Sequence, residues 1–408
     1  MAEKLQAPRG TFDVLPDEGH RRLALQEATR DVLERAGYGY FDSPVFEDTE
    51  VFARGVGAST DIVSKEMFTF EDKGGRSLTL RPEGTAGVCR AYAEHGMHKL
   101  PQPVKLWYWG PFFRHEAPQA GRFRQFTQAG AEALGSDDPS LDAEIILTLA
   151  ELLERAGAKD VRLRLSSLGD AATRESYGAE LKTYLREHES ELSDEVRGRI
   201  DANPLRAFDA DHPGTRKVME GAPLLLDRLA PDDAEHFAAV RALLDAASLP
   251  YDLDPTLVRG LDYYTRTVFE FESGELGAQN ALGGGGRYDG LVEQLGGPPT
   301  PGVGWAAGIE RILLASDLDT ERPRTVFISH SDDADAAFEI ARAIRGAGLR
   351  AEFEQAGRSL KGQLKQADRI GAVFVVLVLG ETLEVKDMST GEQRAVASVE
   401  EAVEAVTQ

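Results

Sequence analysis

The sequence predicts an α+β protein: an antiparallel sheet flanked by helices, interrupted by a helical insertion and followed by a separate small α/β domain. Three observations support this. Residues 104–134 have the pattern of a long hairpin, residues 170–250 are mainly charged and helical, and strand and helix patterns alternate from residue 325. Because 408 residues exceed one compact core, we expect two domains, 1–322 with its insertion at about 170–250, and 323–408.

Composition excludes several classes of protein. Apolar residues at 42% and charged residues at 28% are typical of a folded globular chain. The apolar run Ala372–Leu379 is far shorter than the ~20 residues that span a bilayer, so we expect a buried strand and no membrane association. Glu3 and Lys4 precede no apolar run, which predicts no signal peptide and a cytoplasmic location. A single cysteine, Cys89, excludes an internal disulfide and a cysteine-cluster metal site.

The net charge of −23 is unusual. Such a surface repels nucleic acid unless basic residues are gathered locally. We interpret it as a solubility adaptation to high salt, where a Debye length of ~3 Å at 1 M removes self-repulsion. The alternative, a preference for basic partners, has no supporting motif.

Periodicity predicts the helices of the first block and of the insertion. Helical patterns cover Arg21–Ala36 and Asp142–Ala156 in the first block, and Glu175–Glu191 and Asp232–Ala246 in the insertion. The segment Asp319–Arg324, which contains Pro323, predicts a linker. Beyond it the predicted elements follow a βαβαβ order: Thr325–His330, Ala334–Gly346, Arg350–Glu354, Ser359–Arg369 and Ala372–Leu379.

The hairpin Val104–Leu134 carries the strongest signal for a binding site. It predicts an aromatic strand, a polar turn around Glu116–Gly121 and a second strand. Strand alternation places five residues of the second strand on one face: Arg124, Phe126, Gln128, Gly130 and Glu132. A ring, an amide, a gap at the glycine and a carboxylate suit a small polar ligand on the sheet. A solvated outer face is the alternative, but the nearby arginines argue against it.

Three further motifs offer chemistry, each with a simpler alternative. LRPEGT (Leu80–Thr85) could bind an ammonium group through Glu83 and Thr85, or be a solvated turn. Arg259 before Gly260 suits an anion, or is a solvated arginine ahead of the strand that begins at Thr265. GGGGRYDGL (Gly283–Leu291) allows close backbone approach to a ligand, or is a flexible loop.

The segment Gly302–Leu314 predicts a strand leading into a helix that bears Arg311. Its GxGxxxG spacing and the missing βαβ context argue against a dinucleotide fingerprint, and no GxxxxGK[ST] motif occurs. His95 and His98 are the only neighbouring histidines, with no third ligand nearby, so we predict no metal site.

Together these motifs resemble the histidyl-tRNA synthetases, a class II aminoacyl-tRNA synthetase family. PRGTFDVLP, LRPEGT, the FRHE…GRFRQF hairpin and GIER follow the family's order, and RGLDYYTRTVFEF and GGGGRYDGL are its more specific segments. The resemblance implies an ATP-dependent histidine–tRNA ligase that forms histidyl-adenylate, releases pyrophosphate and charges the 3'-terminal adenosine of tRNA. It also implies ATP as a substrate with Mg²⁺, no tightly bound cofactor, and a homodimer with the Pro44 region at the interface.

The resemblance also assigns roles to residues of the first domain. Arg114 and Arg259 would be catalytic, gripping the carboxylate and the α-phosphate. The remaining roles are these: Glu83, Thr85 and Gln128 for the ammonium group; Glu132 and Tyr264, with Tyr263, for the imidazole; Glu116 and Phe126 for adenine; Arg122 and Arg311 for the outer phosphates of ATP.

Contacts to tRNA are expected in both domains. The resemblance makes the C-terminal domain an anticodon-binding domain, and Gln119 a candidate for reading the tRNA end. Cations at steps of three, four and four form a basic stripe along the Ser359–Arg369 helix: Arg358, Lys361, Lys365 and Arg369. We expect phosphate contacts there, with a solvated helix side as the alternative.

Three other functions are the alternatives to this one. The first is a non-catalytic regulatory subunit of ATP phosphoribosyltransferase in histidine biosynthesis, although such paralogues usually lose the RGLDYYT segment and the C-terminal domain. The second is a prolyl, threonyl or glycyl synthetase, which Glu132 and the tyrosine pair disfavour. The third is an interaction-only module. Ala117, Thr127 and Trp305 depart from the family pattern, and Ala117 puts acceptor-stem contacts of the hairpin loop in doubt.

Overall fold

In the computed structural model two compact units are present, Met1–Asp319 and Thr320–Gln408. The structure describes residues 4–57, 60, 62–117, 121–257, 259–277, 280–318, 324–331 and 333–407. None of the helices in these ranges combines the length and apolar character needed to cross a bilayer.

The first unit is built on an eight-stranded sheet. Its strands and those of a smaller sheet are β1 (Gly39–Tyr40), β2 (Phe46–Asp48), β3 (Thr69–Glu71), β4 (Ser77–Leu80), β5 (Val104–Phe113), β6 (Gln125–Leu134), β7 (Val161–Ser167), β8 (Asp252–Leu253), β9 (Thr265–Ser273), β10 (Ala281–Arg287) and β11 (Gly302–Gly308). The large sheet has the order β1-β5-β6-β11-β10-β9-β7-β8, and β2-β4-β3 form the small one. The six inner strands are antiparallel, which confirms the predicted sheet, whereas the two-residue edge strands β1 and β8 pair in parallel.

Helices flank this sheet. They are α1 (Pro16–Arg35), α2 (Thr49–Gly55), α3 (Thr85–Glu94), α4 (Pro139–Arg155), α5 (Ala171–Glu187), α6 (Asp194–Arg199), α7 (Pro213–Met219), α8 (Pro231–Ala246), α9 (Leu291–Gln294) and α10 (Ile309–Leu314). Helix α1 begins five residues before the predicted start because its first turn is Pro16, Asp17 and Glu18. Proline and carboxylates suit a helix N-terminus but carry no apolar periodicity.

The two faces of the sheet have different roles. Ala129, Ala131 and Ala133 of β6 lie in the main core with Ile145 and Leu149 of α4. Small side chains on the strand let the helix pack closely, and each large aliphatic side chain so buried contributes about 1.5–3 kcal/mol. The opposite face of β6 is thereby left for the cleft described below.

The glycine run Gly283–Gly286 is part of a central strand and not of a loop. It lies in β10, between β9 and β11. A Cβ at Gly285 would come within 1.8 Å of the main-chain oxygen of Gly304, so a side chain at this position would not fit. The glycines therefore allow close strand packing as well as open space on the sheet.

The insertion consists of α5 to α8 with three short 3-10 turns: Glu189–Glu191, Pro204–Asp209 and Leu225–Arg228. It has a core of its own, to which α5 contributes Tyr177, Leu181 and Leu185 at a spacing of four residues. This spacing places all three on one helix face.

The second unit is a small α/β domain. Its elements are β12 (Thr325–His330), α11 (Ala334–Gly346), β13 (Arg350–Phe353), α12 (Leu360–Arg369), β14 (Ala372–Leu379), β15 (Thr382–Asp387), β16 (Gln393–Val396) and α13 (Val399–Thr407). The strand order is β13-β12-β14-β15-β16, with the first three parallel. The predicted βαβαβ pattern is present, and β15, β16 and α13 extend it by an antiparallel edge and a covering helix.

Candidate active site

A cleft lies on the free face of the large sheet, and its wall carries most of the predicted site residues. Strands β6, β9, β10 and β11 contribute to this wall together with the turn before α3. The predicted residues that line it are Glu83, Thr85, Arg114, Glu116, Arg122, Phe126, Gln128, Arg259, Tyr263, Tyr264 and Arg311. Residues more than 200 positions apart in the sequence thus face one space.

Two oxygen acceptors of this wall, Glu83 and Gln128, differ in their hydrogen bonds. Glu83 accepts hydrogen bonds from the main-chain nitrogens of Thr85 (2.7 Å) and Ala86 (2.9 Å), and so caps the start of α3. Burial raises the pKa of Glu83, and these two bonds offset part of that shift. The buried Oε1 of Gln128 has no hydrogen-bond partner among the described residues. A buried acceptor without a partner costs free energy, so a donor on a ligand would be favoured here.

Glu132 lies behind the wall and not on it. Its side chain is fully buried and accepts bonds from Thr85 Oγ1 (2.8 Å), Tyr288 Oη (2.6 Å) and Tyr108 Oη (3.3 Å). Burial raises the pKa of Glu132 to about 8, although these bonds oppose the shift. Gly304 makes room for the carboxyl, since a Cβ there would lie 1.8 Å from Glu132 Oε2.

The gap at Gly130 does not hold a ligand, contrary to the expectation from the hairpin. The ring of Tyr108 fills it, and a Cβ at Gly130 would lie 2.1 Å from Tyr108 Cζ. The expectation failed because alternation within one strand does not show that the neighbouring strand's tyrosine reaches across. Tyr108 and Tyr288 were not singled out from the sequence, although Tyr288 belongs to the GGGGRYDGL motif.

Arg259 forms an ion pair with Glu270, and both line the cleft. The guanidinium passes over the glycine strand, where a Cβ at Gly284 would approach Arg259 Nη2 to 3.1 Å. Its Nε is buried without a hydrogen-bond partner among the described residues. Glu270 was missed from the sequence, yet the alternation of β9 holds the signal: Phe269 and Phe271 face the core, so Glu270 faces the cleft.

A second group of cations on the wall consists of Arg114, Arg122 and Arg311. Arg114 lies over the Phe126 ring at 5.5 Å and donates from Nε to the main-chain oxygen of Pro82 at 2.9 Å. Arg122 Nη1 lies 2.8 Å from Glu116 Oε2. Burial lowers the pKa of Arg311, and the charge of Arg122 lowers it further. Two arginines that repel each other on one wall favour an anion between them.

The opening segment of the chain braces this part of the wall. Phe12 contacts Phe123 at a centroid distance of 4.4 Å. On α1, Arg22 Nη1 lies 3.0 Å from Glu310, whose carboxylate also accepts from the main-chain nitrogen of Thr127 at 3.1 Å. Glu310 precedes Arg311, and Thr127 follows Phe126, so one buried carboxylate joins α10 to β6.

The predicted basic stripe belongs to the second unit, whereas the cleft is built from residues of the first unit. Lys361, Lys365 and Arg369 are exposed along α12 in the second unit, and Arg358 pairs with Glu354 at 3.2 Å. The opposite side of α12 buries Gln363 and Ala367. Gln119 lies outside the described residues. Within the described ranges, no group of three or more His, Cys, Asp or Glu residues is arranged to hold a metal ion.

Comparison with known proteins gives matches over both units. A family model described as histidyl-tRNA synthetase matches residues 10–312, and one described as an anticodon binding domain matches residues 325–408. A histidine–tRNA ligase of Rubrobacter xylanophilus is 48% identical over 407 residues, covering 96% of each chain.

Solved structures agree. The apo histidyl-tRNA synthetase of S. aureus superposes with a TM-score of 0.83 at 36% identity, covering 99% of this chain and 100% of that one. A structure from Bacillus halodurans titled as an ATP phosphoribosyltransferase regulatory subunit/histidyl-tRNA synthetase has a TM-score of 0.69 at 22% identity, over 93% of this chain and 100% of that one. At that identity the second likeness concerns the fold alone.

Proposed function

Because the chain belongs to the histidyl-tRNA synthetase family, we propose that it activates histidine with ATP and then transfers the histidyl group to the 3'-terminal adenosine of its tRNA. One observation carries the proposal: Arg114 and Arg259 line the same cleft as the acceptors Glu83, Thr85 and Gln128. A cleft with anion-binding and ammonium-binding groups suits an amino acid beside a phosphate. The regulatory alternative is not favoured, because the relative at 48% identity over nearly the full length is a ligase.

In the first step the histidine carboxylate attacks the α-phosphorus of ATP, and pyrophosphate leaves. The carboxylate is already ionised at neutral pH, so no general base is needed. Arg114 and Arg259 hold the two anions together and neutralise charge on the phosphoryl oxygens. The ion pair with Glu270 keeps the Arg259 guanidinium oriented before ATP and histidine arrive. When they bind, Arg259 must exchange Glu270 for the substrate anions.

ATP binds through the other end of the cleft. We assign adenine to the Phe126 ring and Glu116, and the outer phosphates to Arg122 and Arg311. ATP brings Mg²⁺ as part of the substrate, which adds neutralisation of phosphate charge. The half-buried guanidinium of Arg311 gains from an anionic partner because water does not solvate it fully.

Histidine is recognised at both of its ends. The hydroxyl of Thr85 donates a hydrogen bond to Glu132, so the Thr85 oxygen is free to accept from the ammonium group. Glu83 and Gln128 Oε1 are the other two acceptors for that group. Tyr264 and Tyr263 face the imidazole. Glu132 lies behind the wall and acts on the imidazole indirectly, through Thr85 and Tyr288, whose hydroxyls donate hydrogen bonds to it. An amino acid without ring nitrogens would leave these groups unpaired, at about 1–3 kcal/mol each.

We assign the second unit to binding of the anticodon stem-loop, with phosphate contacts from the exposed basic stripe on α12. We also propose a homodimer with the Pro44 region at its interface. Three aromatic side chains near it are exposed, namely Tyr40, Phe46 and Phe70. Sedimentation of the purified protein tests this, and a monomer at micromolar concentration contradicts it.

The decisive experiment is ATP–pyrophosphate exchange with each standard amino acid. We expect exchange with histidine alone, and loss of at least about a hundredfold in Arg259→Ala, since one preorganised charge contact is removed from the transition state. Arg162→Ala, at an exposed arginine of β7, is the matched control and should exchange normally. Histidine binding without any exchange would support the regulatory function instead.

A further inference from the structure

The segment from Arg259 to Arg266 joins the cleft to the helical insertion. It carries three of the proposed substrate residues: Arg259, Tyr263 and Tyr264. The segment contains no helix, and its only strand residues are those of β9, which begins at Thr265. Its conformation therefore depends on contacts with neighbouring elements, and several of these belong to the insertion.

Arg174, in the first turn of α5, makes the main contact. Its Nη1 donates to the main-chain oxygen of Tyr264, and its Nη2 donates to that of Asp262 at 3.1 Å. These two carbonyls lie on either side of Tyr263 in the chain. A planar guanidinium can bridge two acceptors at once, which an ammonium group cannot do with the same geometry.

Arg174 is largely buried, and this burial lowers its pKa. It lies outside the wall of the cleft, so substrate does not contact it there. Burying a guanidinium against neutral carbonyls costs free energy unless its donors are satisfied. Because its donors are satisfied by the main-chain oxygens of Asp262 and Tyr264, Arg174 stabilises the conformation of the segment from Arg259 to Arg266.

Three further contacts hold the same segment, and two of them come from the insertion. Asn203 Nδ2 donates to Asp262 Oδ1 at 3.1 Å. Arg266 adopts a left-handed φ of 45°, which strains the backbone of a residue with a Cβ. Its side chain pairs with the buried Asp233 of α8 at 2.9 Å, and its main-chain nitrogen donates to Gly169 at 2.7 Å.

We infer that the insertion positions the histidine-binding loop, with Arg174 as the positioning residue. This inference rests on the proposed function and deepens it: the insertion sets the affinity for histidine without contacting it. The ATP end of the cleft has its own brace through Arg22 and Glu310, so disturbing Arg174 should affect histidine and not ATP.

The experiment is steady-state ATP–pyrophosphate exchange with Arg174→Gln and Arg174→Lys. We expect the KM for histidine to rise about tenfold in both, with the KM for ATP changed less than about twofold, because Arg174 holds the carbonyls on either side of Tyr263 and makes no hydrogen bond to Arg259. Arg186→Gln, at an exposed arginine on the same helix that pairs with Glu189, is the matched control and should leave both KM values unchanged.

Asn203→Ala removes one hydrogen bond from the same loop and serves if the Arg174 variants do not fold. It should raise the KM for histidine about threefold. An unchanged KM for histidine in folded variants, or equal rises in both KM values, would overturn the inference. Calorimetric titration of histidine into the same variants keeps the two proposals separate: a wild type that binds histidine but does not exchange contradicts the proposed function, whereas unaltered histidine binding in Arg174→Gln contradicts the positioning role.

Discussion

The hydroxyl of Tyr288 donates a 2.6 Å hydrogen bond to the carboxyl of Glu132, a side chain with no exposed surface. Tyr288 lines the cleft and Glu132 does not. The tyrosine, like Thr85, therefore connects a buried ionisable group to the space in which substrate binds.

Replacing Glu132 by Gln should change how stability depends on pH. The folded protein holds the Glu132 proton up to a pKa of about 8, against an ordinary value of 4.5. This raised pKa contributes stability that is complete below about pH 4.5 and is lost as the pH rises through 8. Glutamine does not titrate, so the variant does not lose this stability. Between pH 4.5 and pH 8 its unfolding free energy should therefore rise relative to that of the wild type by on the order of 4 kcal/mol. Urea unfolding at pH 5, 7 and 9 measures it; a constant difference would show that Glu132 ionises normally.

Gly130→Ala should destabilise the protein by about 1–3 kcal/mol, because the new Cβ overlaps a buried ring that cannot move freely. The overlap is with Tyr108 Cζ, at 2.1 Å. Gly178→Ala is the matched control: this glycine lies in α5 with no atom within 4 Å of the new Cβ, and should gain about 0.5–1 kcal/mol. Chemical denaturation measures both, and equal stability of the two variants would contradict the packing argument.

Arg287→Met should cost about 3–5 kcal/mol, since it leaves a buried carboxylate without its partner. Arg287 and Asp142 are both fully buried and form an ion pair. Burial raises the pKa of Asp142, but the His236 hydrogen bond and the Arg287 charge together lower it below its ordinary value.

The loss in Arg287→Met should be smaller at pH 4 than at pH 7, because Asp142 without the arginine charge is more easily protonated and then neutral. Thermal unfolding at the two pH values measures this. Arg30→Met, in an exposed pair with Glu27, should change stability by no more than about 0.5 kcal/mol. A loss at Arg287 as small as at Arg30 would show that the buried pair contributes little.

Charge reversal on the basic stripe should separate the two reaction steps. Lys361→Glu and Lys365→Glu should each weaken tRNA charging several-fold at low salt, since each removes about one phosphate contact. ATP–pyrophosphate exchange should be unaffected, because neither lysine lines the cleft. Arg342→Glu, with the same charge change at an exposed position of α11, is the control. Equal loss of charging in all three would indicate a general charge effect and not a contact.

Much of the fold followed from local patterns. The elements Thr325–His330, Ala334–Gly346 and Ala372–Leu379 have the bounds predicted for them, because their periodicity is strong and charged or glycine residues end them. Helix starts were less accurate: α5 begins at Ala171 after the cap Asp170, whereas its apolar stripe indicated Glu175. Polar residues at a helix start supply hydrogen-bond partners for its unpaired main-chain N–H groups, but they do not contribute to the hydrophobic periodicity from which the helix is predicted.

By itself, the sequence determined which residues face which side of each strand, and so which of them could share a cleft. Only the tertiary structure decided what lies between them: Tyr108 fills the gap at Gly130, and Glu270 holds Arg259. It also decided that Glu132 lies behind Tyr288. The physical reason is that alternation fixes the direction of a side chain along one strand, whereas burial and ion pairing depend on side chains from strands and helices far away in the chain.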